Sequence, residues 1–210
     1  MRHILIILSF LLCYQVICCQ DKNGITSYDF IFGTKLYEND FYNQLKTLKN
    51  FEILQPINYF GISGQEYMGY LSNQYAGLFY YQSIAQNIVL SDSVNCKITG
   101  KSYGIKYGYD FFGWSESANC ILSLYLNLGR MVIKETDSSM FKMKNQFISP
   151  GISIQPRIVF NKITCSIIAE YNYDVSGKSW KRTSKSNNYF SLNNFIQSGI
   201  NLMFSIGFII

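Results

Sequence analysis

Residues 100–112 constrain this chain more than any other stretch. Tyr103, Ile105, Tyr107, Tyr109 and Phe111 fall at alternate positions, with Ser102, Gly104, Lys106, Gly108 and Asp110 between them. Successive side chains of a β-strand point to opposite faces, so the run predicts a strand with one aromatic face and one small or polar face. A soluble sheet buries its apolar face and covers the other with long charged side chains. Glycine and serine cover nothing. They suit the crowded inside of a narrow barrel, which turns the aromatic face outward, into lipid.

The same alternation recurs along the chain. Residues 26–36 set Tyr28, Phe30 and Phe32 against Ser27, Asp29, Ile31 and Gly33. Strands are predicted over 56–64 and 75–89, where aromatics on both faces leave the register open. Residues 119–133 carry Leu122, Leu124, Leu126 and Leu128 opposite Ser123, Asn127 and Gly129, with Tyr125 among the latter. Residues 147–160 set Ile152, Ile154, Ile158 and Phe160 against Ser149, Gly151, Ser153, Gln155 and Arg157, with Pro150 and Pro156 on the apolar side. Proline is disfavoured in a paired strand, so a local bulge is expected at Pro156. Asn161-Lys162 predicts a two-residue turn into a strand with Ile163, Cys165, Ile167, Ala169, Tyr171 and Tyr173 on one side and Thr164, Ser166, Ile168, Glu170 and Asn172 on the other. The last strand, opening on Phe195 and ending on Ile210, alternates Ile200, Leu202, Phe204, Ile206 and Phe208 with Gly199, Asn201, Met203, Ser205 and Gly207.

These runs add up to an all-β fold, an eight-stranded antiparallel up-and-down transmembrane barrel. The connections support it. Residues 35–55, 134–146 and 174–194 are long, 89–95 is moderate, and all fall at one end of the cylinder. Residues 112–117 and 161–162 are short and fall at the other, where only the connection near Glu66 is longer than expected. Two readings stand for 39–49. Phe41, Leu45 and Leu48 at helical spacing suit a short amphipathic helix capped by Asn39 or Asp40, and a loop with apolar anchors fits as well.

Charged residues make up 15% of the chain, where about a quarter is usual for soluble domains. Mean hydropathy is +0.04, which does not suit a helical membrane protein. The chain opens Met1-Arg2-His3, continues with an apolar run over 4–17 and reaches Cys18-Cys19-Gln20. That pattern predicts a secretory signal peptide over 1–19 and a barrel domain over 20–210. An uncleaved anchor, and lipidation at Cys18 or Cys19, are the alternatives. The formal charge of +5 falls to about +4 without Arg2, too mild and dispersed to argue for nucleic acid. His3 is the single histidine, so a mature chain has no histidine general base, triad or metal ligand. No enzyme activity, catalytic residue, metal site or cofactor is expected. Cys96, Cys120 and Cys165 are too widely spaced to define a metal site or a disulfide framework.

Over its mature length the chain resembles the small bacterial outer-membrane β-barrels of the OmpA/OmpX type. Its end, Phe204-Ser-Ile-Gly-Phe208-Ile-Ile210, is similar to the C-terminal signal that barrel-assembly machinery reads, with Ile210 where phenylalanine is common in that family. The resemblance implies a Gram-negative outer-membrane location reached by way of the signal peptide. It also implies outer-membrane lipid, lipopolysaccharide and the assembly machinery as partners, the last through residues 195–210.

Asp29, Lys106, Asp110, Arg157 and Glu170 lie on the small-polar faces and are expected inside. There they form either a structural network filling the lumen or an ion path. The basic loop with Lys178, Trp180, Lys181, Arg182 and Lys185 is either a contact for lipopolysaccharide phosphates or an acidic partner, or a solvated loop. The leading functional reading is a non-enzymatic integral outer-membrane barrel, structural or surface-interacting, without a large pore. An accessory barrel of an envelope transport or secretion assembly is a second reading. A secreted lipocalin-like carrier, with its apolar face inward, is a third.

Overall fold

The computed structural model describes residues 26–37, 56–67, 73–91, 94–111, 117–136, 142–176, 181–182 and 198–210. The N-terminal segment with Cys18 and Cys19, the 39–49 segment, and Trp114 of the 112–117 turn lie outside the described residues.

Ten strands follow one another: Thr26–Tyr37 (β1), Ile57–Tyr67 (β2), Gln74–Ser83 (β3), Gln86–Ser91 (β4), Val94–Asp110 (β5), Ala118–Glu135 (β6), Lys142–Phe160 (β7), Ile163–Asn172 (β8), Lys181–Arg182 (β9) and Gly199–Ile209 (β10). Eight of them are the staves of a closed antiparallel barrel, in ring order β1, β2, β3, β5, β6, β7, β8, β10. β1 pairs with β10 from Ser27↔Ile209 to Tyr37↔Gly199 and closes one seam, and β3 pairs with β5 to close the other. β4 continues the line of β3 beyond a break at Ile84 and Ala85 and pairs with β5, while β9 lies against β7. Closure leaves the ring no free edge, so neighbouring staves satisfy one another's backbone groups, as lipid requires, apart from a lapse beside Pro156.

Alternation sends the apolar row outward. Tyr103, Ile105, Tyr107, Tyr109 and Phe111 are 47–59% exposed, and Leu122, Leu124 and Leu126 of β6 are 39–66% exposed. β10 shows Ile200, Leu202, Phe204, Ile206 and Phe208 on the same surface. From Tyr103 to Phe111 there are eight residue steps, about 27 Å along the axis and roughly 20 Å of height at the usual tilt, close to the apolar band of such barrels. A surface this apolar has no place in water.

Six inward-facing glycines stand opposite large neighbours. Gly104 sits directly across from Phe79, Gly108 from Tyr75, Gly61 from Tyr81, Gly129 from Phe147, Gly151 from Tyr125 and Gly33 from Met203. In each pair a Cβ on the glycine would overlap the partner's side chain. The bulky member therefore lies over the bare backbone of the next stave, which fills the lumen without widening it. Ile31, Tyr59, Phe79, Tyr81, Tyr125, Ile168 and Met203 make one such buried cluster.

Four expectations about boundaries are corrected. The 35–55 connection begins later, because β1 runs to Tyr37 and carries Lys35 inside. Most of 134–146 is strand, since β6 runs to Glu135 and β7 begins at Lys142. Glu66 lies within β2, which shortens the connection there, and β4 and β5 are separated by two residues. Pro156 makes no bulge. Pairing between β7 and β8 lapses at 155–156 and resumes at Arg157↔Ser166 in unchanged register. The lapse follows from the N–H that proline lacks. Pro156 points outward and stays paired to Cys120 of β6. At the 161–162 turn Asn161 adopts φ 56°, a left-handed conformation that asparagine tolerates.

Candidate functional site

The lumen gathers the chain's buried charge. Asp29, Lys106, Asp110, Arg157 and Glu170 are each at most 3% exposed and all project inward. A charge so far from water is retained only when paired and hydrogen-bonded. Two ion pairs meet that need, and both reach across the barrel.

The pair nearer the short-turn end joins Arg157 of β7 to Asp29 of β1, Nη2 to Oδ2 at 3.4 Å. Arg157 also donates to Gln65 Oε1 at 2.8 Å and Ser27 Oγ at 3.2 Å. Gln65 stands on β2, four staves from β7 in a ring of eight, so this bond spans the full width. Gln65 reaches the same wall again through Gln155 at 3.3 Å. Asp29 further accepts from Thr164 Oγ1 at 3.1 Å and Ser63 Oγ at 3.5 Å. At the rim below, Asp110 accepts from Tyr67 Oη at 2.8 Å, Asn119 Nδ2 at 3.0 Å and the Cys120 N–H at 3.1 Å.

The second pair joins Lys106 Nζ of β5 to Glu170 Oε1 of β8 at 2.5 Å. Tyr81 Oη, from the wall opposite β8, donates to the same oxygen at 3.3 Å, and Asn201 Nδ2 donates to Oε2 at 3.1 Å. Lys106 lies 5.2 Å from the Phe79 ring centre and 5.8 Å from that of Tyr125, which adds cation–π attraction to the ammonium. Nearer the long-loop end, buried Lys35 lies 4.7 Å from the Tyr37 ring centre.

The five sequence-predicted inner residues thus fall into two clusters and a rim site. Sequence reasoning missed Lys35, Gln65, Tyr67, Tyr81 and Asn201 as members. Lys35 continues the odd-numbered row of Asp29 and Ile31, and that parity was the available signal. Gln65, Tyr67 and Tyr81 come from β2 and β3, where aromatics on both faces hid the register. In the basic loop, Lys178, Trp180 and Lys185 lie outside the described residues. The backbone of Lys181 and Arg182 pairs with Lys144 and Met143. Cys96, Cys120 and Cys165 form no disulfide. Among the described residues no group of three or more histidine, cysteine, aspartate or glutamate side chains gathers as a metal site.

This geometry defines a class of fold, the eight-stranded outer-membrane β-barrel, and solved structures of that class superpose on it. OprG from Pseudomonas aeruginosa is 11% identical with a TM-score of 0.53, and the match covers 90% of this chain and 97% of that one. Neisserial surface protein A is 15% identical with a TM-score of 0.51, covering 89% and 96%. Ail of Yersinia pestis, solved with the heparin analogue sucrose octasulfate, is 10% identical with a TM-score of 0.51, covering 90% and 99%. At such identities the likeness is one of fold. No family model and no curated protein matches the chain.

Proposed function

We propose that this chain is an integral protein of a Gram-negative outer membrane, non-enzymatic, whose barrel presents its loops at the cell surface and conducts no large solute. One observation carries the reading: an apolar outer wall around a lumen whose opposite sides are tied together by Arg157–Asp29–Gln65 and Lys106–Glu170–Tyr81. A lipocalin-like carrier needs the reverse arrangement, with the apolar row inside. In the proposed role the ionic clusters are structural, holding the cylinder shut. The N-terminal 19 residues direct export, the barrel domain spans residues 20–210, and the alternating row on β10 presents the assembly signal. The outer surface meets lipid and lipopolysaccharide, and the basic loop at Lys181 and Arg182 belongs to that contact.

The test is membrane fractionation together with gel mobility in SDS before and after boiling, followed by planar-bilayer recording of the refolded protein. Outer-membrane fractionation, a heat-dependent mobility shift and the absence of stable large-conductance steps are expected. A soluble, heat-unmodified protein would refute the membrane assignment. Steady nanosiemens channels would refute the closed lumen.

A further inference from the structure

We propose that the outward face of β5, β6 and β7 near the long-loop end is a docking site for a membrane lipid whose headgroup carries more than one phosphate. The inference rests on the outer-membrane reading above. The registers of the three strands set their outward side chains in rows. The uppermost apolar row is Tyr103, Leu128 and Ile148. Beyond it come Lys101, Arg130 and Gln146, then Thr99, Val132 and Lys144, then Lys97, Lys134 and Lys142. Lys97, Lys101, Arg130 and Lys134 are exposed. With Lys142 they line an open cleft of about 550 Å³.

Cations stand directly opposite cations here, Lys101 against Arg130 and Lys97 against Lys134. Like charges in facing positions destabilise a sheet. Among the described residues Lys97, Lys101, Arg130 and Lys134 have no ion-pair partner. The described acids lie off this strand face. Asp29, Asp110, Glu170 and Asp174 are buried, Glu66 is at the far end of β2, and Glu135, the one described acid that lines the cleft, falls on the inward parity of β6. Among the described residues Lys97, Lys101, Arg130 and Lys134 thus repel one another with no acid on their own strand face, which makes the patch complementary to an external anion.

The apolar row next to the cations argues for a lipid over a soluble polyanion. Acyl chains can lie along Tyr103, Leu128 and Ile148 and the belt below them while the headgroup meets the cations. The Lys101 row and the Lys97 row are four residues apart, about 13 Å along the strand, more than one phosphate can bridge. Arg130 supplies the planar fork that suits phosphate, and the lysines supply point charges.

The experiment uses the refolded full barrel in zwitterionic phosphatidylcholine vesicles, with or without diphosphoryl lipid A, with monophosphoryl lipid A, or with free inorganic phosphate. The readouts are the midpoint of the heat-dependent gel shift and lipid co-purifying after detergent extraction. Diphosphoryl lipid A should raise the midpoint of the wild type by several degrees and co-purify with it, monophosphoryl lipid A should do less, and millimolar phosphate should do neither. Lys101→Glu places an acid opposite Arg130. It should melt at or above the wild type in phosphatidylcholine alone yet lose most of the lipid A shift and retain at least tenfold less lipid. That reversal separates ligand binding from a structural role. The uncharged pair Lys101→Gln/Arg130→Gln repeats the test should Lys101→Glu not refold. Equal retention of diphosphoryl lipid A by wild type and variants, or an equal shift with free phosphate, overturns the inference while the membrane assignment stands. A wild type that fails to insert at all refutes that assignment instead.

Discussion

The pairing of a bare glycine with a large inward side chain is the residue-level rule of this lumen, and it is testable one position at a time. A methyl group at Gly104 would collide with the Phe79 ring and with the Leu126 carbonyl. Gly104→Ala should therefore destabilise the barrel by about 1–3 kcal/mol, read as a lower urea midpoint in lipid vesicles. Adding Phe79→Leu, which shortens the opposing side chain, should recover part of that loss, and an unchanged double variant would count against the pairing. The buried ions offer a second test. Arg157→Met leaves the Asp29 carboxylate inside without its cation, a change that typically costs about 3–5 kcal/mol. Neutralising the acid as well, in Arg157→Met/Asp29→Asn, should cost less than the single substitution, measured by the same midpoint. Ion-pair partners such as Lys106 and Glu170 were identifiable as inward from parity alone. Which acid meets which base was not, because each pair joins strands that are three staves apart.

At the scale of the strand, β7 contains at Pro156 a position where chemistry and pairing disagree. Register places Pro156 opposite Ile167 on β8, so the carbonyl of Ile167 faces a residue with no N–H to give. Water would normally compensate, but the site is on the lipid-facing wall, where an unmet backbone group is expensive. Pro156→Ala restores a donor without altering the inward row. It should raise the unfolding midpoint by an amount equivalent to about 1 kcal/mol or less, less the entropy gained by the unfolded chain. A clear loss of stability would show that the proline is needed for local curvature. Strand existence and inward parity could be read from the β5, β6, β8 and β10 sequences because each has one clean apolar row. β2 and β3 concealed theirs because Tyr59, Tyr67, Tyr75, Phe79 and Tyr81 point inward, where an aromatic residue looks no different from an outward one.

At the scale of the whole molecule, the outer wall should tolerate charge only near its ends. Leu124 is 66% exposed midway along the belt, and Leu124→Arg should cost about 2–4 kcal/mol, as arginine does at the bilayer midplane. Arg130, six residues further toward the long-loop end on the same face of β6, already shows that a cation is accepted there. Comparing Leu124→Arg with Val132→Arg by heat-dependent gel shift should give a large effect for the first and a small one for the second. Equal effects would mean that the apolar belt does not sit at membrane depth.

The sequence by itself determined that this chain alternates, that its apolar row is too long and too continuous for water, and which ionisable residues share the opposite parity. Those properties are local, fixed by the two-residue period of an extended backbone. The tertiary structure alone decided the ring order, the meeting of Arg157 with Asp29 and Gln65, and the alignment of Lys97, Lys101, Arg130 and Lys134 on one face. Cross-barrel and cross-strand neighbours depend on stagger and closure. One residue of slip would exchange every partner while leaving each strand's own pattern intact.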